Sequence, residues 1–469
     1  MNLITTHLNA DFDRLASTVA DRKLYPGDRG RATGEELPLS SSLRNLRTSM
    51  KERLPKRVFS KLEHAGELAD HMEISAFVVG GFVRDLLLGI ENLDLDLVIE
   101  GDGIAFARAL GRREKARVKV HERFGTAVVI FPDGFKLDVA TARTEYYEYP
   151  TALPTVEPSS IKKDLYRRDF TINTMAVRLN KGEFGALIDF YGGRRDLKEK
   201  TIRVLHSLSF VEDPTRVFRA IRFEQRFGFH LGKETLALIK GAVTMDLFHR
   251  LSGHRILEEL IHVFSEEEPR KIVARLAKLD LLRVIHPALT KSLRLATLLR
   301  AVEDALDWYT LLYLDRKMEQ WVVYFMVLMD VIPAKAVGET LKRLAVPARQ
   351  AEKIKAAHDE SNAILRQLAK QPPPRPAKTY HLLEGHSDET LLLLIAKTKL
   401  ESVKRQISAY LTTSRHIKPS LTGADLKALG LKPGPQFKKI LEQLRDARLN
   451  GEVRTEAEER ELVKRIANL

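Results

Sequence analysis

The chain has 469 residues, 44% of them hydrophobic and 30% charged, which is enough for roughly two to four compact domains with buried cores. It contains no cysteine, so disulfides, thiolate metal sites and thiol nucleophiles are excluded, and carboxylates and histidines are left as metal ligands. The formal charge of +14 indicates a polyanionic partner such as nucleic acid, although a solvated basic surface gives the same count.

Neither the N-terminal segment nor the most apolar stretch of the sequence has the character of a membrane-directed segment. The opening residues, MNLITTHLNADFD, are polar and acidic where a secretory signal has an apolar core. The most apolar stretch, residues 321–331, is too short to span a bilayer. We therefore expect a soluble, cytoplasmic protein without a membrane partner.

Composition along the chain predicts five segments. Residues 1–53 are an extension that ends in a polar linker rich in Gly, Ser and Pro. In residues 54–204, strand-like runs (FVVGG, LDLDLVIE, TAVVIF, FKLDVATA, TMAVRL) alternate with helical stretches (FVRDLLLG, IAFARALGR), which predicts a mixed α/β domain. Beyond it apolar residues recur at helical spacing, so residues 205–270, 271–390 and 391–469 are predicted to be all helical.

The run LDLDL carries the first chemical signal. The strand period of two places Asp94 and Asp96 on one face and the leucines on the other. Asp138, in the later strand FKLDVATA, is the best candidate for a third carboxylate. Magnesium prefers carboxylate oxygens and substrate phosphates, and two such ions can serve a phosphoryl transfer. One DxD pattern alone is weak, because most occurrences are structural.

A glycine pair precedes this run, between a strand end and a short helix. Gly80 and Gly81 allow the backbone to approach a ligand closely, the helix N-terminus favours an anion, and Arg84 adds a charged donor. The order of these features suits a triphosphate. An ordinary tight turn is the alternative interpretation of the glycines.

Four motifs occur in a fixed order: GGFVRDLLLG with LDLD, RRDFTIN at residues 167–173, DFYGGRRDL at 189–197 and EDPTRVFRAIRF at 212–223. With them, the chain resembles the class II bacterial tRNA nucleotidyltransferase and poly(A) polymerase family, within the polymerase-beta-like nucleotidyltransferases. The resemblance covers roughly residues 78–260. It implies an α/β nucleotidyltransferase head followed by an all-α C-terminal half made of neck, body and an RNA-binding tail.

The resemblance also assigns roles to residues. It makes Asp94, Asp96 and Asp138 the catalytic carboxylates and ligands of two Mg²⁺ ions. Asp213 and Arg216, three apart at a helical start, can face the same way and hold each other in register, and the resemblance implies that such a pair reads the incoming base. A carboxylate accepts from the exocyclic amine of cytosine or adenine, and a guanidinium donates to the ring nitrogen beside it. The nucleotide-binding residues that it implies are Gly80, Gly81, Arg84, Arg168, Asp169, Asn173, Asp213, Arg216, Arg219 and Arg222.

The family members that add only the two cytidines have a shortened loop after the third carboxylate, whereas a polar loop of about twenty residues follows Asp138 here. The sequence of residues 205–229 is most similar to that of the A-adding branch of the family. We therefore expect ATP to be used for terminal adenylate addition to tRNA, with CTP as a possible second substrate. A complete CCA-adding enzyme and a poly(A) polymerase of broad RNA range remain alternatives, and the oligomeric state is open.

Further alternatives concern the ends of the chain and its class. Residues 4–13 resemble the first metal segment of a DHH phosphoesterase, and we interpret Asp11 and Asp13 as an idle remnant. Noncatalytic RNA binding on an inactive fold, and transfer to a small molecule or protein, are disfavoured by the intact motifs. His121 and His206 are expected to be structural. Phosphate contacts without base reading are expected from basic residues of the helical half, among them Lys278, Arg283, Lys335, Lys342, Arg343, Lys353, Lys355, Lys418, Lys427, Lys432, Lys438 and Lys439.

Overall fold

A computed structural model describes residues 45–146, 155–314 and 316–467. These residues fall into two compact units, one within residues 1–216 and 227–238 and the other within 217–226 and 239–469. The predicted phosphoesterase remnant with Asp11 and Asp13 lies outside the described residues. The finer subdivision of the helical half stays a prediction.

The first unit is mixed α/β, as predicted, and is built on a seven-stranded sheet in the order β3-β4-β5-β2-β1-β8-β9. The pair β2 and β5 is parallel, and the other neighbouring pairs are antiparallel. The strands of the unit are β1 Ser75–Val79, β2 Asp96–Glu100, β3 Arg117–His121, β4 Thr126–Ile130, β5 Lys136–Thr141, β6 Arg143–Tyr146, β7 Thr155–Pro158, β8 Met175–Arg178, β9 Leu187–Asp189, β10 Thr201–Ile202 and β11 His230–Leu231.

Helices cover this sheet because its strands are rich in apolar residues, β1 being buried along four of its five positions. The helices of the unit are α1 Arg47–Arg53, α2 Lys56–His71, α3 Gly81–Leu88, α4 Gly103–Arg113, α5 Ile161–Tyr166, α6 Gly193–Lys198 and α7 Ser209–Glu212. Of these, α2 packs against β1, and α4 packs against β4 and β5. The strand and helix assignments made from the sequence between residues 76 and 178 are therefore confirmed.

One segment differs from the prediction. The polar stretch after Asp138 was expected to be a loop, but its described flanks form the antiparallel ribbon of β6 and β7, with Glu145 opposite Val156. Thr, Tyr and Val at these positions favour extended backbone, and this preference outweighs the proline at the end of β7. Residues 147–154 between the strands lie outside the described residues.

The second unit is helical throughout its described residues, as predicted. Two helices, α8 Thr215–Phe227 and α9 Lys233–Thr244, contribute residues to both units. The remaining helices are α10 Gly253–Phe264, α11 Pro269–Lys278, α12 Leu293–Thr310, α13 Gln320–Asp330, α14 Ala334–Arg343, α15 Ala348–Leu368, α16 Pro376–Leu383, α17 Asp388–Lys397, α18 Glu401–Thr412, α19 Gly423–Ala428, α20 Pro435–Leu449 and α21 Glu456–Ala467.

The most apolar stretch of the sequence forms the centre of this unit. Helix α13 is buried from Val322 to Asp330 and packs against α12, α15 and α17. It is a core helix, apolar on every side because neighbours surround it. Among the described residues, the structure contains no helix with the length and apolar character to span a membrane.

Candidate active site

Two neighbouring strands bring the predicted carboxylates together. Asp96 is the first residue of β2 and lies directly opposite Asp138 of β5 in the parallel pairing. The backbone N–H of Asp138 donates to the carbonyl of Leu95 at 3.3 Å. Because partner residues on adjacent strands point to the same face, Asp96 and Asp138 share one face of the sheet. This pairing joins residues that are 42 positions apart in the sequence.

Asp94 lies two positions before Asp96, in the turn that leads into β2. Its backbone N–H donates to Asn92 Oδ1 at 2.8 Å, which fixes the turn. Asp94 and Asp96 are exposed, whereas Leu95 and Leu97 are each 1% exposed, so the predicted alternation of the LDLDL run is confirmed. The apolar side chains anchor the strand and leave the two carboxylates on its other face.

The donor set at this edge suits a hard divalent cation, since all three groups are carboxylates. No cluster of three or more His, Asp or Glu side chains arranged to enclose a metal ion occurs among residues 45–146, 155–314 and 316–467. Magnesium bound by carboxylates commonly completes its coordination with substrate phosphates and water.

The glycine turn lies beside this edge, because Val79 is the partner of Asp96 in β1. Gly80 has φ +72° and donates its N–H to the carbonyl of Met175 at 3.1 Å. A Cβ atom at Gly80 would lie 2.5 Å from Nη1 of Arg168, whereas at Gly81 the nearest atom would be 3.5 Å away. Gly80 therefore makes room for Arg168 and joins the first motif to RRDFTIN.

Arg84 makes a second connection between the same two motifs. Its side chain is 6% exposed, and its Nε and Nη2 donate to the two carboxylate oxygens of Asp85 at 2.7 and 2.9 Å. Its Nη1 donates to Asn173 Oδ1 at 2.6 Å. This forked pairing is strong and fixes the guanidinium plane. The predicted contact of Arg84 with a phosphate stays a prediction. In the structure, Arg84 links the helix after the glycine turn to Asn173 of the RRDFTIN motif.

Asn173 extends this network to Asp169. Its Nδ2 donates to Asp169 Oδ1 at 2.9 Å, and the backbone N–H of Phe170 donates to the same oxygen at 2.9 Å. Asn173 and Asp169 are 6% and 7% exposed. Both side chains are thus engaged inside the fold, and the predicted contact of Asp169 and Asn173 with a nucleotide stays a prediction.

Asp164 is a central residue of the site that sequence reasoning missed. Its carboxylate is fully buried and accepts from Arg167 Nη2 at 2.8 Å and from Arg168 Nη2 at 3.3 Å. Burial alone would raise the pKa of Asp164, but Arg168 and Arg167 outweigh it and hold that pKa below its ordinary value. The signal was present, because Asp164 precedes the two arginines by three and four residues, the spacing of one helical face.

The predicted base-reading pair differs from its expected geometry. Asp213 precedes α8 and accepts with Oδ1 from the N–H and hydroxyl of Thr215 at 3.0 and 2.7 Å. Arg216 donates from Nη1 to Ser209 Oγ at 2.9 Å and from Nη2 to the carbonyl of Arg167 at 2.8 Å. These side-chain partners are different for the two residues, and a direct link between them is made by the backbone, where the N–H of Arg216 donates to the carbonyl of Asp213 at 3.1 Å.

Arg219 and Arg222 belong to the second unit. Arg222 is 8% exposed, pairs with Glu266 at 3.1 Å, and has its guanidinium 5.0 Å from the ring centre of Phe223, which Arg219 approaches to 5.5 Å. Burial lowers the pKa of Arg222. The expected contact of Arg222 with nucleotide or RNA stays a prediction, and the observed ion pair shows that part of its guanidinium is already engaged.

Comparison with known proteins finds family models and relatives that match the part of the chain carrying these motifs. Residues 76–203 match the poly A polymerase head domain, and residues 228–293 match a probable RNA- and SrmB-binding site of polymerase A. The A-adding tRNA nucleotidyltransferase of Geobacter sulfurreducens is 49% identical over 423 residues, which are 89% of this chain and 48% of that protein. This chain therefore spans about half the length of that relative.

A shorter relative matches along most of its own length. The A-adding tRNA nucleotidyltransferase of Halalkalibacterium halodurans is 34% identical over 392 residues, which are 81% of this chain and 86% of that protein. Among solved structures, the Thermotoga maritima CCA-adding enzyme complexed with tRNA superposes with a TM-score of 0.73 at 33% identity. That match covers 90% of this chain and 99% of the other.

Proposed function

The chain belongs to the tRNA nucleotidyltransferase family, and from that premise we propose that it transfers the 3′-terminal adenylate of CCA from ATP to tRNA without a nucleic-acid template. The observation that carries the proposal is the pairing of Asp96 with Asp138 beside the glycine turn, in a chain similar to two A-adding enzymes. A tRNA substrate also favours a cytoplasmic location.

Asp94, Asp96 and Asp138 would hold the two Mg²⁺ ions that we propose for this site. When bound, such ions polarise the α-phosphate and stabilise the charge on the attacking and leaving oxygens. The three carboxylates would fix where the 3′ hydroxyl and the triphosphate meet, because the apolar packing of Leu95 and Leu97 holds Asp94 and Asp96 in place and the strand pairing holds Asp138 beside Asp96. Positioned carboxylates suffice for this transfer, so a histidine base is not required.

The nucleotide would lie against the network that joins the glycine turn to RRDFTIN. Gly80 leaves space that Arg168 fills, and the buried Asp164 holds Arg168 in place. A preorganised guanidinium at this point can meet the phosphates or the sugar of ATP without reorganising. We infer that Arg168 contacts the nucleotide directly and that Arg84 and Asn173 position the turn around it.

Base selection would rest on Asp213 and Arg216. Arg216 can only donate hydrogen bonds, which suits N1 of adenine or N3 of cytosine, whereas guanine and uracil present an N–H there. Its contacts with Ser209 and with the carbonyl of Arg167 fix the direction of its remaining donors. The side chain can therefore test a base without moving first.

A complete CCA-adding activity is the second candidate, favoured by the likeness to the solved CCA-adding enzyme. Both activities need adenine recognition by the same pair of residues, so the geometry of the first unit serves either. We further infer that backbone contacts from the helical half hold the RNA, since residues 228–293 match a probable RNA-binding segment and the chain carries a formal charge of +14.

The role of the carboxylates is tested by single amide variants. We expect Asp96→Asn and Asp138→Asn to lose adenylate transfer to a tRNA ending in CC, because a neutral amide cannot replace an anionic ligand. Asp133→Asn is the matched control, since this exposed aspartate in the β4–β5 turn pairs with Lys61 at 2.9 Å. Unchanged rates in the Asp138→Asn protein, with a normal melting temperature, would remove Asp138 from the site.

A further inference from the structure

A row of four rings lies on the surface of the first unit. Tyr166 ends α5 and stacks on His206, with ring centres 5.4 Å apart and planes inclined by 30°. On its other side Tyr166 contacts Tyr191 at 5.6 Å, and Phe190 contacts Tyr191 at 6.3 Å. We name Phe190, Tyr191, Tyr166 and His206 the aromatic row.

The exposure of this row is not explained by packing. Tyr166 is 45% exposed and Phe190 is 49% exposed, although a phenylalanine side chain is ordinarily buried. Tyr191 alone packs against the apolar core beside the sheet. The other rings present apolar surface to solvent, and this arrangement favours a ligand with a flat apolar face.

The row is held rigidly, which lowers the entropy cost of binding. Asp189 accepts from the backbone N–H groups of Gly193 and Arg194 at 2.8 and 3.0 Å and so closes the turn that carries Phe190. The hydroxyl of Tyr191 donates to the carbonyl of Lys162 at 2.8 Å and ties this turn to α5.

Positive charge flanks the rings. The Nζ atom of Lys162 lies 5.7 Å from the ring centre of Phe190. Tyr166 and His206 also line a cavity of about 270 Å³, together with Lys163 and Arg167. Two acidic side chains line the same cavity, and each has an arginine neighbour: Glu145 pairs with Arg167 at 2.7 Å, and Glu212 lies 4.0 Å from Arg216.

We propose that the aromatic row stacks the unpaired 3′ nucleotides of the RNA substrate. Exposed rings flanked by lysines suit a single strand, because bases can lie on the rings while phosphates meet the cations. The location suits the end of the RNA, since Tyr166 is two residues from Arg168, where the incoming nucleotide is proposed to bind. This inference rests on the proposed function and adds the surface on which the acceptor end lies.

The test measures RNA binding by the full-length protein without ATP or magnesium, so that no transfer occurs. The probes are an RNA hairpin with an unpaired 3′-ACC end and the same hairpin with a blunt end, followed by fluorescence anisotropy. We expect Phe190→Ala and Tyr166→Ala each to weaken binding of the ACC hairpin about tenfold. Tyr166→Phe should bind as the unaltered protein does, because it keeps the ring.

Tyr313→Ala is the matched control, because Tyr313 is 90% exposed but lies in the second unit. Neither this variant nor any variant of the aromatic row should change binding of the blunt hairpin. Equal affinity of the Phe190→Ala and unaltered proteins for the ACC hairpin would overturn the proposal. An equal loss of affinity for both hairpins would also overturn it. Weaker ATP binding with unchanged RNA binding would overturn it as well, because it would assign the rings to the incoming base.

Adenylate transfer is measured separately on the same proteins. The unaltered protein could prove inactive in transfer yet prefer the ACC hairpin and lose this preference on Phe190→Ala. That result would contradict the proposed function and support RNA stacking on the aromatic row. If instead the protein is active and its preference for the ACC hairpin survives both alanine substitutions, the role of the aromatic row is contradicted and the proposed function stands.

Discussion

Replacing Gly80 by alanine should destabilise the first unit, whereas the same change at Gly81 should not. Gly80 has φ +72° and ψ −128°, a backbone conformation that residues with a Cβ atom rarely adopt. Strain of this kind costs about 1–3 kcal/mol. The new Cβ atom would also lie 2.5 Å from Nη1 of Arg168, so Arg168 must shift away from Asp164. At Gly81, in contrast, the nearest atom would lie at an ordinary contact distance of 3.5 Å.

The loss of stability caused by Gly80→Ala can be measured by calorimetry of the full chain. A loss of 1 kcal/mol lowers the melting temperature of a domain of this size by about 2–4 °C, so Gly80→Ala should lower the first-unit transition by several degrees. Gly81→Ala should leave it unchanged or raise it slightly, because alanine is favoured over glycine in a helix by about 0.5–1 kcal/mol. If the two variants melted within a degree of each other, the proposed strain and the proposed crowding of Arg168 would both be refuted.

Three further substitutions probe the buried charges. Asp164→Asn should cost about 1–3 kcal/mol in urea unfolding at pH 7, because Arg167 and Arg168 lose the charge of Asp164, while Arg167 keeps its pairing with Glu145 at 2.7 Å. Since the pKa of Asp164 is lowered, its contribution is complete above the ordinary carboxyl pKa and is lost as pH falls through the folded value, so the variant and the unaltered protein should converge in acid. Arg84→Lys should lower kcat/KM for ATP about tenfold at unchanged RNA affinity, since lysine cannot make the fork to Asp85. Arg222→Leu should destabilise the second unit by about 1–3 kcal/mol, because Glu266 loses its nearer arginine partner and keeps the pairing with Arg226 at 3.7 Å. An additional loss of RNA affinity in anisotropy would show that Arg222 also contacts RNA.

The carboxylate edge was predictable from the sequence because the strand period is local. Leucines alternating with Asp94 and Asp96 define two faces without knowledge of neighbouring strands. The pairing of Asp96 with Asp138 depends on sheet order, which no local pattern encodes. Asp138 was predicted to be the third carboxylate from its strand pattern and from the resemblance to a family, and the structure supplies the register that pairs it with Asp96.

The contacts that the sequence did not predict are set by tertiary packing. Helical spacing suggested that the side chains of Asp213 and Arg216 hold each other, but α8 begins only at Thr215 and Asp213 has extended backbone with φ −138°. Extended backbone changes the direction of the Asp213 side chain, so the helical spacing argument fails for this pair. Asp164 was overlooked because a polar segment with prolines suggested a loop, whereas the segment forms a ribbon and a helix that bury this carboxylate.

The most direct measurement uses three tRNA transcripts, ending before CCA, after C and after CC, each with magnesium and with ATP or CTP alone. Products are resolved at single-nucleotide length. We expect one adenylate to be added from ATP to the transcript ending in CC, and no extension of any transcript with CTP. Addition of cytidines to the shorter transcripts would contradict the A-adding assignment in favour of a complete CCA-adding enzyme. Long adenylate tails on all three would assign the protein as a poly(A) polymerase.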